Sequence, residues 1–305
     1  MDKKIPIIID LDTGIDDATA ICLAVASEKF DIKLMTCSSG NTSALNSAQN
    51  TLDVLEFIKA PQIPVAVGSE DALVKNRDIF VAHGKSGIGD YKFPKNTRSL
   101  EKEDADTLLY KTLKESPEPI SIACIGTITN IAKLLKNHGD IVPKIEQIIF
   151  MAASTKREEK GKTPYVGFNI GKDPEAAHIV VKSRVPLVII PTELGKTCYL
   201  DWQEVYKTKN VNYVGAMLEN IFRYYKDRQI KDGIAMYDST ALCYLIDPSM
   251  YEVKPAYIEI KFYDDVDTGI GVLDFEKTPN CLVCNNIDVK KFKNLYFKLI
   301  KKYKR

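Results

Sequence analysis

Short apolar runs rich in Ile and Val recur along this chain, separated by stretches of helical character, and that alternation restricts the fold more than any other feature. The runs are "IPIIID", "IKLMTCSS", "IPVAVGS", "PISIACIG", "QIIFMAA", "PLVIIPT" and "YIEIKFY". Most are continuous rather than alternating. That is the pattern of strands buried on both faces, which calls for helices on each side of a parallel sheet. Helical patterning falls between them at about 17–28, 43–59, 104–115, 128–137 and 174–183. The alternation predicts an α/β fold with a mostly parallel, doubly wound central sheet and helices on both faces. A chain of 305 residues suffices for one large domain or two ordinary ones. No repeat or low-complexity linker divides it, so a single domain over 1–305 is expected, with a helical region at about 200–247 edging the site.

Charge and cysteine content exclude several roles. The formal net charge of +1 gives no global field toward nucleic acid or an anionic membrane, and neither is expected as a partner. No apolar run is long enough to span a bilayer, and the start "MDKKIPIIID" lacks the features of a signal peptide. A cytoplasmic protein is expected. The seven cysteines are an odd number at irregular spacing. Cys281 and Cys284 form a lone C-x-x-C, a weak zinc signal without a second pair. The cysteines read as reduced thiols packed in the core, with "CLVCNN" on a strand edge. The basic tail places Phe292, Leu295, Tyr296, Leu299, Ile300 and Tyr303 on one helical stripe, which predicts a terminal helix docked by its apolar face and solvated on the other.

The chemistry concentrates at the end of the first run. "IIIDLDTGIDDATA" carries Asp10, Asp12, Asp16 and Asp17, four carboxylates within eight positions. Two such charges about 4 Å apart repel by roughly 1 kcal/mol in water and by several times that at a protein surface. Asp16 and Asp17 can be tolerated as caps of the helix that follows, where negative charge is favoured. Capping does not account for Asp10 and Asp12, which end a strand. A hard divalent cation accounts for all of them, and a carboxylate-rich oxygen set suits Ca²⁺ better than Mg²⁺. In open α/β sheets ligands bind beyond the carboxyl ends of the strands. The residues that follow the other runs are rich in short oxygen-bearing side chains: "SSGNTS" with Asn41, "GFNIGKDPE" with Asn169, and "AMYDST" with Asp238.

"DLDTG" is similar to the nucleophile loop of haloacid-dehalogenase-type phosphatases, but Gly14 stands where that loop has Thr or Val, and Asp16 and Asp17 have no role in it. "DLDTGIDDATA" resembles more closely the D-x-D-x-G-x-D-D-A-x-A signature of the inosine-uridine nucleoside hydrolases. Further segments match in order: Gly40–Asn41, "HGKSG" from His83, "TNIA" from Thr129, "FNIGKDPEAAHIV" from Phe168, "DSTALCYLIDP" from Asp238 and "TGIGVLDF" from Thr268. The resemblance covers nearly the whole chain. It implies an α/β enzyme that hydrolyses the N-glycosidic bond of a ribonucleoside with bound Ca²⁺, as a homodimer or homotetramer. Carried over by residue, it implies Asp12, Asp17, Asp238 and the carbonyl oxygen of Ile125 as metal ligands, with Asp10 in support. Asp12 is then also the general base toward water. Asp16, Asn41 and Asn169 hold ribose hydroxyls, and His83 lies toward the 5′ end or the base.

The sequence departs from the family where the substrate is held. Tyr237 stands where the family often has a histidine that helps the base leave, and a phenol is the weaker acid. Gly167 and Gly161 replace a glutamate and an asparagine that engage the sugar, mainly at its 5′ side. "MAA" at Met151–Ala153 and "ELG" at Glu193–Gly195 replace "MGG" and "DLT". The two glycines imply either a pocket widened for a 5′-substituted or non-standard ribosyl substrate or a lower affinity, and a silent ribosyl-binding protein is the remaining alternative to plain nucleoside hydrolysis. Simpler roles stand beside the site roles. Asp238 is a candidate N-cap, Asp173 before Pro174 reads as a cap, and Asn41 and Asn169 can brace turns. His178 reads as structural, and Tyr224, Tyr225 and Arg228 read as helix packing at the pocket edge.

Overall fold

The computed structural model describes residues 3–77, 82–89, 91–154, 166–227, 232–263 and 266–304; Gly161 and Arg228 lie outside them. The chain runs β1 (Ile5–Leu11), α1 (Ile15–Ser27), β2 (Phe30–Cys37), α2 (Ala44–Phe57) and β3 (Val65–Val67). It continues through α3 (Ala105–Glu115), β4 (Ile120–Cys124), α4 (Thr129–Asn137), β5 (Ile145–Met151), α5 (Phe168–Lys172), α6 (Pro174–Lys182) and β6 (Leu187–Ile190). Then come α7 (Thr192–Thr197), β7 (Leu200–Asp201), α8 (Trp202–Lys209), α9 (Tyr213–Lys226), β8 (Gly233–Ile234) and α10 (Tyr237–Ile246). The last elements are β9 (Tyr251–Tyr263), β10 (Val266–Asp274), β11 (Cys281–Ile287) and α11 (Val289–Ile300).

A nine-stranded sheet has the order β10-β9-β11-β6-β5-β4-β1-β2-β3. From β11 to β3 every neighbour pair is parallel, and β9 runs antiparallel to β10 and β11. The parallel part explains the unbroken apolar runs. In β1, Ile7, Ile9 and Leu11 bury in one core while Ile8 buries in the other. In β4, Ala123 faces the first core and Ile122 and Cys124 the second. Consecutive residues point to opposite faces of a strand, so a sheet covered on both sides needs apolar residues at nearly every position. The fold is the mostly parallel, helix-covered sheet that the sequence predicts, and the five foreseen helices end within two residues of their predicted limits.

Three details differ. "CLVCNN" forms β11, which lies inside the sheet between β6 and β9 and not on its edge; Cys281, Val283 and Cys284 are buried there. β9 is longer than the run that announced it, because its first half pairs with β11 and its second with β10. Pro255, which has no N–H to donate, sits in the half that pairs on one side only. β10 was not foreseen as a strand, since glycines interrupt its pattern. All seven cysteines are buried free thiols. In α11, Phe292, Tyr296, Leu299 and Ile300 are buried, Leu295 and Tyr303 pack against the same core, and the Tyr303 hydroxyl donates to the carbonyl of Cys22 at 2.6 Å. No helix among the described residues is long and apolar enough to cross a membrane.

The connectivity creates the site. From β1 the chain steps outward through β2 to β3, then returns to the other side of β1 to add β4, β5 and β6. The order therefore reverses between β1 and β4, and a crevice opens at a reversal of this kind beyond the carboxyl ends of the strands. Asp12 follows β1 and Ile125 follows β4 at that point.

Candidate functional site

Two helices begin beside this crevice. α1 carries Asp16 and Asp17 in its first turn, and α10, packed against it, carries Asp238 as its second residue. Helix N-termini present partial positive charge and favour carboxylates. One carboxylate oxygen from each of Asp16, Asp17 and Asp238 lies within 4.8 Å of the others. Asp17 does help to close α1: its Oδ2 accepts the Gly14 N–H at 2.8 Å and the Asn41 Nδ2–H at 3.3 Å. Capping thus accounts for one oxygen of the cluster. Asp238 is not an N-cap, because Met236 takes that position without a side-chain cap bond.

The remaining oxygens fit a cation. Asp16 Oδ1 and Asp17 Oδ1 are buried and have no hydrogen-bond partner. His83 Nδ1 lies 3.7 Å from Asp16 Oδ1, yet it already accepts the Ile15 N–H at 3.1 Å and has no hydrogen to offer Asp16. Burial lowers the His83 pKa to about 4 against an opposing pull from Asp17, so the ring is neutral and carries its hydrogen on Nε2. Among the described residues no lysine or arginine pairs with them, and burial pushes the carboxyls toward protonation. Burial raises Asp16 to about 6. Burial, then the Asp16 charge, raise Asp17 to about 7. Asp238 is held well above the usual carboxylate range by burial and by Asp16, Asp17 and Asp12. Orphaned hard oxygens at this spacing match the donor set of a divalent ion with ligands at about 2.3–2.6 Å from its centre.

Asp12 stands next to this triad rather than within it. It is buried, and its Oδ2 accepts the Asn41 N–H at 2.8 Å. Burial and then Asp17 raise its pKa well above normal, with Asp16 and Asp10 adding to the effect. Gly40 is needed for this placement, because a Cβ there would come within 2.0 Å of Asp12 Oδ2. Gly40→Ala is expected to cut kcat by at least about tenfold while the fold survives, as displacing a reacting group by about 1 Å costs up to 10²-fold. Steady-state kinetics beside a circular-dichroism melt will check it.

Asp10 lies behind the cluster. Thr36 Oγ1 donates to it at 2.5 Å, Asn130 Nδ2 at 2.8 Å and Cys124 Sγ at 3.3 Å. Burial raises it to about 6 against these bonds. Its role is to brace the end of β1, and it does not line the cavity. Thr36, Cys124 and Asn130 were not singled out from the sequence. The available signal was a polar residue in the first turn of α4, inside a segment already matched as "TNIA". Asn130 also accepts the Ser69 N–H at 2.8 Å, and so joins β1 to the segment after β3.

A cavity of about 440 Å³ opens over the carboxylates. Asp12, Asp16, Asn41, Ile125, Asn169 and Asp238 form its polar end. The rest of its lining includes His83, Tyr225, Ile234, Ala235, Tyr237, Met151, Ala152, Gly167, Phe168 and Thr192. Asn169 Nδ2 donates to the carbonyls of Ile125 at 2.9 Å and Met151 at 2.8 Å, so it braces two strand ends and not its own turn. The Ile125 carbonyl, with two lone pairs, keeps one for another partner. Tyr225 was assigned to packing from the sequence; its ring stands edge-on to His83 at 5.6 Å and also lines the cavity. Tyr224 packs over the turn at Gly84 and Gly89, both at positive φ. Asp173 is the N-cap of α6, accepting the Ala176 N–H at 3.0 Å, and His178 is exposed on that helix.

A family model described as inosine-uridine preferring nucleoside hydrolase matches residues 7–294. The chain belongs to that family. It is 32% identical over 294 residues to the non-specific ribonucleoside hydrolase RihC of Escherichia fergusonii, covering 95% of this chain and 96% of that one. RihC of Escherichia coli K12 is equally similar, at 32% over 294 residues. Among solved structures, an inosine-guanosine nucleoside hydrolase superposes with a TM-score of 0.90 at 23% identity, covering 98% of this chain and 99% of that one. A purine-preferring ribonucleoside hydrolase from Gardnerella vaginalis gives 0.86 at 24% identity, covering 97% and 98%. These two establish the shared fold. The chain is thus an enzyme of the nucleoside hydrolase family, and the family's aspartate signature coincides with the carboxylates that converge at the β1/β4 reversal.

Proposed function

We propose that this nucleoside hydrolase cleaves the N-glycosidic bond of ribonucleosides with the help of Ca²⁺, releasing ribose and the free base, with Asp12 as general base. The observation that carries the reading is the pair of orphaned, buried carboxylate oxygens of Asp16 and Asp17 beside Asp238, at the floor of a cavity of nucleoside size. Asp12, Asp17, Asp238 and the Ile125 carbonyl hold the ion, Asp16 stands at its edge, and Asp10 supports them from behind. When bound, Ca²⁺ supplies hard positive charge that attracts the sugar diol and makes water easier to deprotonate.

The chain's own groups do the rest. Asp12 Oδ2 is fixed by the Asn41 N–H, which leaves Oδ1 to receive a proton from the attacking water. Asp16, Asn41 and Asn169 hold the ribose hydroxyls. The ribosyl group gains positive character as its bond to the base breaks, and the surrounding carboxylates favour that charge. Attack from the face opposite the base gives inversion and needs no covalent intermediate. Among the described lining residues, His83 Nε2–H and the side chains of Tyr225 and Tyr237 carry hydrogen-bond donors suited to the departing base.

The deciding experiment measures reducing sugar released from a panel of nucleosides, with and without chelator. No release from any substrate, together with retained ribose binding, would mean a silent binder. Tyr237 gives a finer test. Tyr237→His is expected to raise kcat on purine nucleosides above that of Tyr237→Phe by about tenfold or more, within the range for a positioned acid. Equal rates in the two variants would show that no proton donor acts at this position.

A further inference from the structure

Gly195 lies inside α7, buried, at no positive φ, and outside the cavity lining. Glycine weakens a helix interior relative to alanine, and its backbone here is one that any residue adopts. Crowding accounts for it. A Cβ at this position would lie 2.4 Å from Tyr237 Cδ1, 2.6 Å from Tyr237 Cα and 2.9 Å from Tyr237 Cγ. The ring atoms can swing aside about χ1. The Cα moves only with its backbone, and about 1 Å of movement is needed to reach ordinary van der Waals separation.

Tyr237 opens α10, and Asp238 follows it. A hydrogen bond reinforces the close approach: the N–H of Met236, the N-cap residue of α10, donates to the Gly195 carbonyl at 3.1 Å. α7 is itself tied to the sheet. It follows β6, and the Thr192 N–H and Oγ1–H both donate to the Ala153 carbonyl, at 3.3 and 3.1 Å. With α7 anchored, the movement that a side chain at 195 would force falls on the start of α10. That start also packs against α1, where one oxygen each of Asp16, Asp17 and Asp238 comes within 4.8 Å of the others. Ca²⁺ ligands lie about 2.3–2.6 Å from the ion, a range much narrower than a 1 Å displacement.

We propose that Gly195 is a positioning residue for Asp238. Its lack of a side chain lets α7 meet the backbone of Tyr237 closely enough to set the Asp238 carboxylate beside Asp16 and Asp17, and so fixes the affinity of the cluster for a divalent cation. The proposal rests on the metal reading above. Gly195 touches neither ion nor substrate in this role; it acts through the Tyr237 backbone.

The test measures Ca²⁺ binding by calorimetry, with melting in chelator beside it, on the purified full chain as wild type, Gly195→Ala, Lys196→Ala, Tyr237→Ala and Gly195→Ala/Tyr237→Ala. Gly195→Ala is expected to bind Ca²⁺ at least about tenfold more weakly, the loss usual for a group that supports a metal ligand. Lys196→Ala, exposed on the same helix, is expected to match wild type. In chelator the Gly195→Ala midpoint is expected to fall by no more than about 10 °C. The double variant loses the ring atoms but keeps the contact with the Tyr237 Cα, so its affinity should stay about tenfold or more below that of Tyr237→Ala. Affinity in Gly195→Ala less than tenfold below wild type overturns the proposal and leaves the metal reading standing, as does recovery in the double variant. A Gly195→Ala chain that fails to fold, or melts lower than that limit in chelator, also overturns it, because the glycine then serves the fold and not the ion. A wild type that takes up no Ca²⁺ overturns the metal reading and the proposal with it.

Discussion

Replacing Asp12 by asparagine is expected to lower kcat by about 10²–10⁴-fold, the usual worth of a positioned general base. The substitution keeps the shape of the side chain and an oxygen able to accept the Asn41 N–H, so the turn after β1 stays closed. What it removes is the ability to take a proton. Burial raises the Asp12 pKa, and three neighbouring acidic groups add their fields to it. A cation at the triad reverses that influence and returns Asp12 to the ionised form that a base requires. The loss should therefore appear in kcat, with retained ribose binding measured by calorimetry. A variant that turns over at more than about a tenth of the wild-type rate would remove Asp12 from proton transfer.

Calcium removal should have the second-largest effect, and it should be visible in stability as well as in turnover. Chelation is expected to abolish activity and to make the melting temperature depend on pH. The direction follows from the pKa values. Asp16 is raised to about 6 and Asp17 to about 7 in the folded, ion-free protein, while the unfolded chain has ordinary carboxyls near 3.8. A group raised in this way contributes its full stabilisation below the unfolded value and loses it as pH climbs through the folded one. The ion-free protein should thus melt progressively lower as pH rises from about 4 through 7, where these two groups titrate. Saturating Ca²⁺ binds the ionised, folded form. At 100 times its dissociation constant it adds about 2.7 kcal/mol, or a rise of roughly 5 °C at pH 7.5. Differential scanning fluorimetry across pH with chelator or Ca²⁺ will read both effects. A midpoint at pH 7.5 that does not respond to Ca²⁺ would sink the metal assignment.

Much of this was legible in the sequence, for identifiable reasons. A strand covered on both faces must be apolar at nearly every position, so β1, β4, β5 and β6 announced themselves. β7 and β8, two residues each, bury too little to leave a pattern. β10 was hidden by its glycines: a Cβ at Gly269 would meet Pro174, and one at Gly271 would meet Ile170, so the helices packed on it exclude side chains there. The N-terminal carboxylates stood out because charges so close together need an external reason. That Asp16 and not Asp12 joins Asp17 and Asp238 in the tight triad was not visible, because it depends on how the starts of α1 and α10 meet. Tyr225 and Thr192 follow ordinary helical patterns, and only the tertiary arrangement turns them toward the cavity. Asn130 hid within a helix start whose side chain reaches back to β1, the sheet neighbour of the strand before that helix.

The bond from the Ile15 amide to the His83 ring joins positions 68 residues apart, and one end of it is the same helical turn that bears Asp16 and Asp17. Any ligand that tugs the imidazole must also loosen the peptide that aims those two acids. Sugar occupancy and ion retention are then thermodynamically reciprocal: whatever one gains in affinity from the other is returned in equal measure.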